Sequence, residues 1–449
     1  MAAASPRVEI EKMPIEQLKG LKEQADLEVN LFQDSLNNIR TATARLELAS
    51  AALHDLSLRP QGRLTTYPCT LASVIILFMI YIFTKLWERI SLLRLKASLL
   101  DKSDGLSSWN NTRYKCCNWQ DVKCDKATGH VIGLDLRNRV LDNYGDPSSD
   151  SMLQSETLDS SLLEMKHLKY LDLSANNFKD SSIPSFLGSL NKLQYLNLSN
   201  AGFGCVIPHQ LDNLSTLCAL DLGGLLSSLR VDNLIWAAIL SLLESLDMCH
   251  VNLSTTNDHL ATFPKELGEL KQLKELDLSD NKLTSPIPIN LSRCWIHNME
   301  NLELWSNNFY GQLPEELGKL KQLKWLDLSD NKLSGPIPTI VGQLSDLEWI
   351  DIYGNTFEAM ENYGLNALSE VLKGVVLEYS ENTRFLVNFD LSSNQLVGEI
   401  PLELTNLTDL IGLNLSHNHL RGQIPLKIGD MVSHESLDLS NNYLFGTIP

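Results

Sequence analysis

Motifs that define common enzyme classes are missing from this 449-residue chain. It contains no GxxxxGK[ST] phosphate loop, no HExxH zinc helix, no GxSxG nucleophile turn and no paired CxxC. Its ten histidines are scattered along the sequence. We therefore predict a protein that is not an enzyme and that needs neither a cofactor nor a metal ion.

Positive charge is also scarce. Lys and Arg number 37 against 55 Asp and Glu, so the net charge is -18 and the sequence pI is about 5.0. A protein that binds nucleic acid needs a basic stripe to neutralise phosphates, and no such stripe is present. The composition therefore argues against nucleic acid as a partner.

What the chain does have is a repeated pattern, LxxLxLxxNxL, in which most intervals are 24 to 26 residues. This period is typical of a leucine-rich repeat, where each coil contributes one short strand with two inward-facing leucines. We predict an α/β repeat solenoid, a horseshoe or superhelix, over residues 137–449. Its strands are anchored at Leu171, Leu196, Leu220, Leu246, Leu276, Leu302, Leu326, Ile350, Phe389, Leu413 and Leu437.

An asparagine follows most of these strands and is expected to bond to backbone groups of its own and the neighbouring coil. Two coils carry Leu225 and Val251 at this position and should be less regular. Serines after the Leu-x-Leu unit, such as Ser279 and Ser329, are expected to face solvent. The asparagines are Asn176, Asn281, Asn307, Asn331, Asn355, Asn394, Asn418 and Asn442.

Residues 13–57 predict one long amphipathic helix, because steps of three and four residues reach ten apolar positions out of twelve. The stretch MPIEQLKGLKEQADLEVNLFQDSLNNIR that opens this helix resembles the first helix of an alpha-class prefoldin subunit, subunit 5. We assign residues 1–62 to this coiled-coil segment. The resemblance implies a co-chaperone that holds unfolded proteins, with prefoldin subunits as partners.

A short apolar run, LASVIILFMIYIF, occupies Leu71 to Phe83. Its thirteen residues suit the core of a signal peptide better than a membrane span of about twenty. Its internal position argues against a signal peptide, and the basic residues after it would, by the positive-inside rule, hold the following segment in the cytosol. We treat residues 63–87 as a signal-like or anchor-like segment, so the membrane topology stays open.

Residues 88–136 resemble the amino-terminal cap of plant leucine-rich receptor-like proteins. The shared landmarks are ER-x-x-LL-x-x-K, LSSW, CC-x-W-x-x-V-x-C and TGHVIxLDL. The resemblance implies a disulfide between Cys117 and Cys124, whereas Cys116 lacks the upstream cysteine of the family. It also implies an extracellular receptor at the plasma membrane that perceives peptides or elicitors in defence or development through a co-receptor kinase.

The same family has an island before its last coils, and here we expect it at about residues 358–385. The stretch VLKGVVLEY carries the family's KGxxxEY element, which makes Lys373, Glu378 and Tyr379 candidates for ligand contact. The repeats reach Pro449 in mid-coil, where family members continue into a second cap and a membrane helix. The alternative for the island is a surface insertion without a partner.

Four aromatic residues fall on three successive coils beside the island: Trp305, Trp325, Trp349 and Tyr353. We expect them to form one patch on the concave face that binds a ligand, because clustered exposed aromatics are enriched at interfaces. The alternative is stacking that only stabilises the solenoid.

Export would also glycosylate N-x-S/T sequons, of which the chain has seven, at Asn110, Asn197, Asn213, Asn252, Asn290, Asn406 and Asn414.

The receptor hypothesis places the repeats outside the cell, with a peptide or protein ligand. The rival hypotheses are a cytoplasmic prefoldin-like co-chaperone and a non-functional fused gene fragment.

Overall fold

A computed structural model of the chain describes residues 84–110, 115–139, 150–225, 228–253, 262–288, 295, 298–335, 344, 346–358, 388–400, 404, 410–431 and 433–448. The coiled-coil segment 1–62, the apolar run 71–83 and the island residues Lys373, Glu378 and Tyr379 lie outside these residues. Within the described ranges, no helix is both long enough and apolar enough to cross a membrane.

Within the described residues, one thirteen-stranded sheet runs from the cap through the repeats. Its first pair, β1 and β2, is antiparallel, and every later pair is parallel and joins strands of successive coils. The strands are β1 Val122–Cys124, β2 Val131–Asp135, β3 Tyr170–Asp172, β5 Tyr195–Asn197, β7 Ala219–Asp221, β9 Ser245–Asp247, β10 Glu275–Asp277, β11 Asn301–Glu303, β13 Trp325–Asp327, β15 Trp349–Asp351, β17 Asn388–Asp390, β19 Gly412–Asn414 and β21 Ser436–Asp438.

The leucine pattern explains this sheet. All eleven predicted anchors lie in its strands, and the two leucines of a coil, such as Leu276 and Leu278, are buried. The residue between the two leucines points away from the core, toward the concave side, because successive side chains of a strand point to opposite faces. The predicted leucine-rich-repeat solenoid is therefore confirmed.

The return segment of each coil carries shorter elements. Within the described residues, three three-stranded parallel sheets pair segments that follow the asparagine position of successive coils: β4 Ser181–Ser182, β6 Phe203–Val206 and β8 Ser228–Arg230; β12 Tyr310–Gly311, β14 Lys332–Gly335 and β16 Thr356–Phe357; β18 Val397–Glu399, β20 His419–Gly422 and β22 Tyr443–Leu444.

Single-turn 3-10 helices then lead back toward the next strand, five of them directly after a proline. They span Cys116–Asn118, Ser160–Glu164, Ser185–Ser189, His209–Asn213, Lys265–Glu269, Glu315–Lys319 and Leu426–Asp430. Helix α1 covers residues 84–98, and helix α2 is Ile235–Ala238.

Where an asparagine follows the strand, it bonds as the sequence predicts. Asn331 donates its amide to Leu304, Leu328 and Ser329 carbonyl oxygens at 3.0, 3.1 and 3.0 Å and accepts from the Phe309 N–H at 3.0 Å. These bonds satisfy backbone groups of two neighbouring coils inside the core.

Three of the eleven predicted coils depart from the asparagine rule, whereas two were predicted to do so. Ala201 takes the position in the coil of β5 and is fully buried, as is Val251 in the coil of β9. Leu225 instead lies 77% exposed, so this coil does not bury its apolar residue where the asparagine would sit.

The amino-terminal cap covers the first coil. Helix α1 packs its Leu92 and Leu95 into the core, and Glu88 accepts from the Val131 N–H and lies 2.7 Å from His130 Nδ1. A disulfide joins Cys117 to Cys124. The cap thus closes the apolar end of the solenoid, as a repeat array requires.

Candidate functional site

The concave face consists of three columns of side chains that run across the strands. The first column holds the residue before each first leucine, such as Trp325 and Trp349. The second holds the residue between the two leucines, and the third holds the residue after the second leucine, such as Trp305. Neighbouring members of a column are about 4.8 Å apart, the spacing of adjacent strands.

The second column is almost entirely acidic, and we call it the carboxylate column. Strand register pairs each member directly with the next, from Asp135 to Asp438. In order, the residues are Asp135, Asp172, Asn197, Asp221, Asp247, Asp277, Glu303, Asp327, Asp351, Asp390, Asn414 and Asp438. Seven carboxylates, from Asp221 to Asp390, therefore follow one another without interruption.

The two carboxylates nearest the cap are neutralised by arginines. Arg137 Nε lies 2.8 Å from Asp135 Oδ1 and 3.7 Å from Asp172 Oδ2, and Arg139 also contacts Asp135. Within the described ranges, none of the seven carboxylates from Asp221 to Asp390 forms an ion pair.

Lysines beside the column are already paired elsewhere. Lys274 Nζ lies 2.7 Å from Glu244 and Lys324 Nζ lies 2.6 Å from Glu300, both one residue before the first column. Charges on that flank therefore cancel, whereas the seven carboxylates keep a net negative charge along the middle of the face.

Their proton affinities reflect this crowding. Burial raises the pKa of Asp221 to about 7 and that of Asp277 to about 6, and the Asp247 carboxylate between them adds to both rises. Burial, with the neighbouring Asp327 and Asp390, likewise raises the pKa of Asp351 to about 7. The folded solenoid therefore ionises this face less readily than isolated side chains would.

The expectation that the serines after the strands face solvent was wrong for Ser279, Ser329, Ser392 and Ser416, which are buried. Ser174 and Ser199 are half-buried, and Ser440 is exposed. Ser279 is fully buried, and both its N–H and its hydroxyl donate to Asp277 Oδ1, at 2.8 and 2.5 Å. Ser329 bonds to Asp327 in the same way. Each serine thus closes a turn on the carboxylate and fixes its direction.

The four predicted aromatic residues lie on the concave face, but in two columns. Trp325 and Trp349 are neighbours in the first column and stack with ring centroids 4.5 Å apart and ring planes 5° apart. Trp305 and Tyr353 lie in the third column, separated by the coil that carries Ser329. Asp327 and Asp351 run between the stacked pair and the third column.

Exposure and contacts distinguish the members of this aromatic patch. Tyr353 is 38% exposed, whereas the three tryptophans are half-buried. The rings of Trp305 and His250 are nearly perpendicular, with centroids 6.4 Å apart, and His250 Nε2 lies 2.7 Å from Asp280 Oδ2. The patch therefore combines apolar surface with adjacent carboxylates.

Two groups in the described residues bring three potential metal ligands within 4.8 Å of one another. Two of the three sulfurs in the first group, Cys116, Cys117 and Cys124, are committed to the disulfide. In the second group, Asp247, Cys249 and Asp277, burial and then the Asp247 carboxylate raise the pKa of Cys249 well above its usual range. That thiol stays protonated, which makes it a poor metal ligand.

The sequons fall into different environments. Asn213 and Asn252 are exposed. Asn197 and Asn414 belong to the carboxylate column, where Asn414 Nδ2 donates to Asp390 at 2.9 Å and Asn197 accepts from Ser199. Asn110 is half-buried, and Asn290 and Asn406 lie outside the described residues.

The carboxylate column was not predicted from the sequence. Its signal was available in the repeated Leu-Asp-Leu units, where the acidic residue recurs at the same point of each coil.

Family models match the chain in its cap and repeats. The leucine rich repeat N-terminal domain matches residues 88–125, and the Leucine Rich Repeat matches residues 167–190, 272–294, 322–344, 385–407 and 409–431.

Two curated proteins are similar to different parts of the chain. Receptor-like protein EIX1 of Solanum lycopersicum is 40% identical over 226 residues, which are 49% of this chain and 21% of that protein. Prefoldin subunit 5 of Arabidopsis thaliana is 71% identical over 70 residues, which are 16% of this chain and 46% of that protein. Both resemblances expected from the sequence are thus confirmed, and each covers less than half of the relative.

Among solved structures, the leucine-rich-repeat ectodomain of the Arabidopsis receptor kinase HAESA, in complex with an extended IDA peptide hormone ligand, superimposes with a TM-score of 0.65. It is 30% identical in sequence, and the match covers 80% of this chain and 54% of that one.

Proposed function

We propose that the leucine-rich-repeat segment of this chain is the extracellular ligand-binding region of a plant receptor-like protein, with a peptide or a protein segment as its ligand. The observation that carries the proposal is the aromatic patch on the concave face. Solenoids of this kind use their extended concave surface for binding. The similarity to EIX1 and to a peptide-bound receptor ectodomain supports the same assignment.

The patch suits a peptide ligand because stacked indoles offer a large, rigid contact surface at little entropic cost. Trp325 and Trp349 already hold each other in place, so a ligand would not have to order them. The binding role of the island residues Lys373, Glu378 and Tyr379 is part of the proposal as a second contact region.

The test of binding is a selection of random peptides on the purified repeat protein. Selected peptides should bind the wild type and lose at least tenfold in affinity on the Trp325→Ala/Trp349→Ala variant. The matched control is Tyr170→Ala/Tyr195→Ala, which removes a stacked pair with centroids 4.4 Å apart from the same column near the cap. Equal losses for both variants, or no selected peptide at all, would contradict the proposal.

Export is tested separately, by glycosidase treatment of the full chain expressed in plant cells. A drop of several kilodaltons is expected from the sequons, and replacement of the exposed Asn213 and Asn252 by Gln should reduce it. An unchanged mobility would mean that the repeats stay in the cytoplasm.

We include a co-receptor kinase as the signalling partner, since the similarity to a receptor-like protein covers a larger share of this chain than the similarity to prefoldin does. The partner would be sought by asking whether a selected peptide increases association of the full chain with candidate kinase ectodomains.

The amino-terminal segment supports a second candidate function, that of a prefoldin-like co-chaperone. The observation in its favour is the 71% identity to prefoldin subunit 5. Co-purification of the full chain with recombinant prefoldin subunits would support it, and deletion of residues 1–62 should abolish that association. We favour the receptor proposal because the cap and repeats make up most of the chain.

A further inference from the structure

The surface around the stacked tryptophans is acidic, and this charge favours a positively charged ligand. Asp327 and Asp351 are strand neighbours, and Trp325 and Trp349 precede them by two residues on the same two strands. On the other side of the carboxylates, Tyr353 is exposed. A ligand on the aromatic patch therefore meets both carboxylates.

Among the residues that the structure describes, both carboxylates accept hydrogen bonds from neutral donors. Asp327 accepts from the N–H and the hydroxyl of Ser329 at 2.9 and 2.6 Å, and Asp351 accepts from the Tyr353 N–H at 2.9 Å. The nearest charged flank uses Lys324 to pair with Glu300 instead. The protein thus supplies ion pairs beside the column but, in the residues described, none to its central stretch.

We propose that the occupant of the aromatic patch is an extended, cationic peptide segment that places arginine or lysine side chains over Asp327 and Asp351. This deepens the proposed function and rests on it. A guanidinium fits two carboxylates about 4.8 Å apart, because its five donors form a planar fork. The aliphatic stem of the same side chain, or a neighbouring aromatic residue, packs against the tryptophan edges.

The geometry of the column favours a peptide over a compact cation. Seven carboxylates extend over about 29 Å, the length of about nine extended residues. A small amine or a divalent ion would neutralise one or two members and leave the aromatic patch uncovered. A neutral or acidic peptide would cover the patch and leave its carboxylates desolvated without a partner, which costs affinity.

The chain itself shows how to remove the charge without disturbing the turn. Asn197 occupies the same column and accepts from the Ser199 N–H and hydroxyl at 2.8 and 2.7 Å. Asp327→Asn/Asp351→Asn should therefore fold like the wild type. Asp221→Asn/Asp247→Asn removes two charges from the same column, three to four strands before Asp327 and away from the stacked Trp325 and Trp349.

The probes are the peptides from the random selection, resynthesised with citrulline in place of arginine. We expect the selected sequences to be rich in arginine and lysine, and the citrulline forms to bind at least tenfold more weakly. The Asp327→Asn/Asp351→Asn variant should weaken binding of short arginine peptides about tenfold, and the distant pair less than threefold. Circular dichroism of each variant verifies folding.

Three results would overturn the inference. Citrulline peptides could bind as well as arginine peptides, the Asp327 and Asp351 variant could bind unchanged, or both pairs of substitutions could weaken binding equally. Selected peptides that are neutral or acidic but still require Trp325 and Trp349 would refute the cationic ligand and leave the proposed function intact. Failure to select any peptide would instead refute the proposed function.

Discussion

Replacing one central carboxylate, Asp277, by asparagine should stabilise the solenoid. The substitution fills no cavity, and its effect comes from removing a partly buried charge. Burial and the adjacent Asp247 raise the pKa of Asp277 to about 6. The folded state therefore opposes ionisation of Asp277 more than the unfolded chain does. Asp277→Asn removes that opposition, and its oxygen can keep both Ser279 bonds, as Asn197 keeps those of Ser199.

The magnitude follows from the size of the shift. A rise of roughly two pKa units above the ordinary aspartate value corresponds to about 3 kcal/mol. Because Asp277 is only half-buried, solvent screening reduces this to about 1 kcal/mol at pH 8. A raised acid pKa means that the folded state keeps a proton that the unfolded chain releases, so wild-type stability falls as the pH rises from about 4 through about 6.

Urea unfolding followed by circular dichroism at fixed salt would measure the effect. We expect Asp277→Asn to be about 1 kcal/mol more stable than the wild type at pH 8, with the gain shrinking as the pH is lowered toward 4. Asp438→Asn, at the exposed end of the same column, is the control and should change stability little. A destabilised Asp277→Asn protein, or a gain that does not depend on pH, would refute the reasoning.

Three further predictions concern the core, the cap and the ligand. Asn331→Ala should cost about 2–4 kcal/mol in urea unfolding, because it leaves the Phe309 N–H buried without its acceptor, whereas Asn308→Ala on the half-exposed surface should cost less than about 0.5 kcal/mol. Reductant should destabilise the cap by about 2 kcal/mol through loss of the Cys117–Cys124 loop closure, and a variant with both cysteines replaced by Ala should not respond. Binding of an arginine peptide should tighten between pH 5 and pH 8 as the column ionises, measured by fluorescence anisotropy against a citrulline peptide that shows no such trend.

The fold was largely predictable because the repeat is a local code. A leucine pair at a fixed offset determines the strand, and an asparagine five residues after the anchor determines the turn, so each coil can be read without the others. Ala201 is an exception that was not predicted, because a small buried residue at the asparagine position gives no recognisable signal in the repeat pattern.

The candidate site was predicted less completely because it is built across coils. The aromatic residues could be located on successive strands, but their division between two columns depends on an offset of four residues, as between Trp349 and Tyr353. The serines were assigned to solvent because their polarity suggested it. Their hydrogen bonds to the preceding acidic residue, as between Ser279 and Asp277, turned them inward.

The acidic column was overlooked for a related reason. An aspartate between two leucines reads as an ordinary exposed strand residue in any single coil. Only the direct register of neighbouring strands, such as Asp247 beside Asp277, turns separate exposed residues into a continuous line of charge.

This regular line has a kinetic consequence for any cationic partner. Carboxylates that recur every 4.8 Å or so attract a basic chain equally well in several registers, so charge alone speeds its arrival and lets it shift along the groove. The stacked indoles of Trp325 and Trp349 occur at one point of that groove. Long-range attraction would then govern how fast a partner associates, and the indoles would decide where along the solenoid it stops and how long it remains.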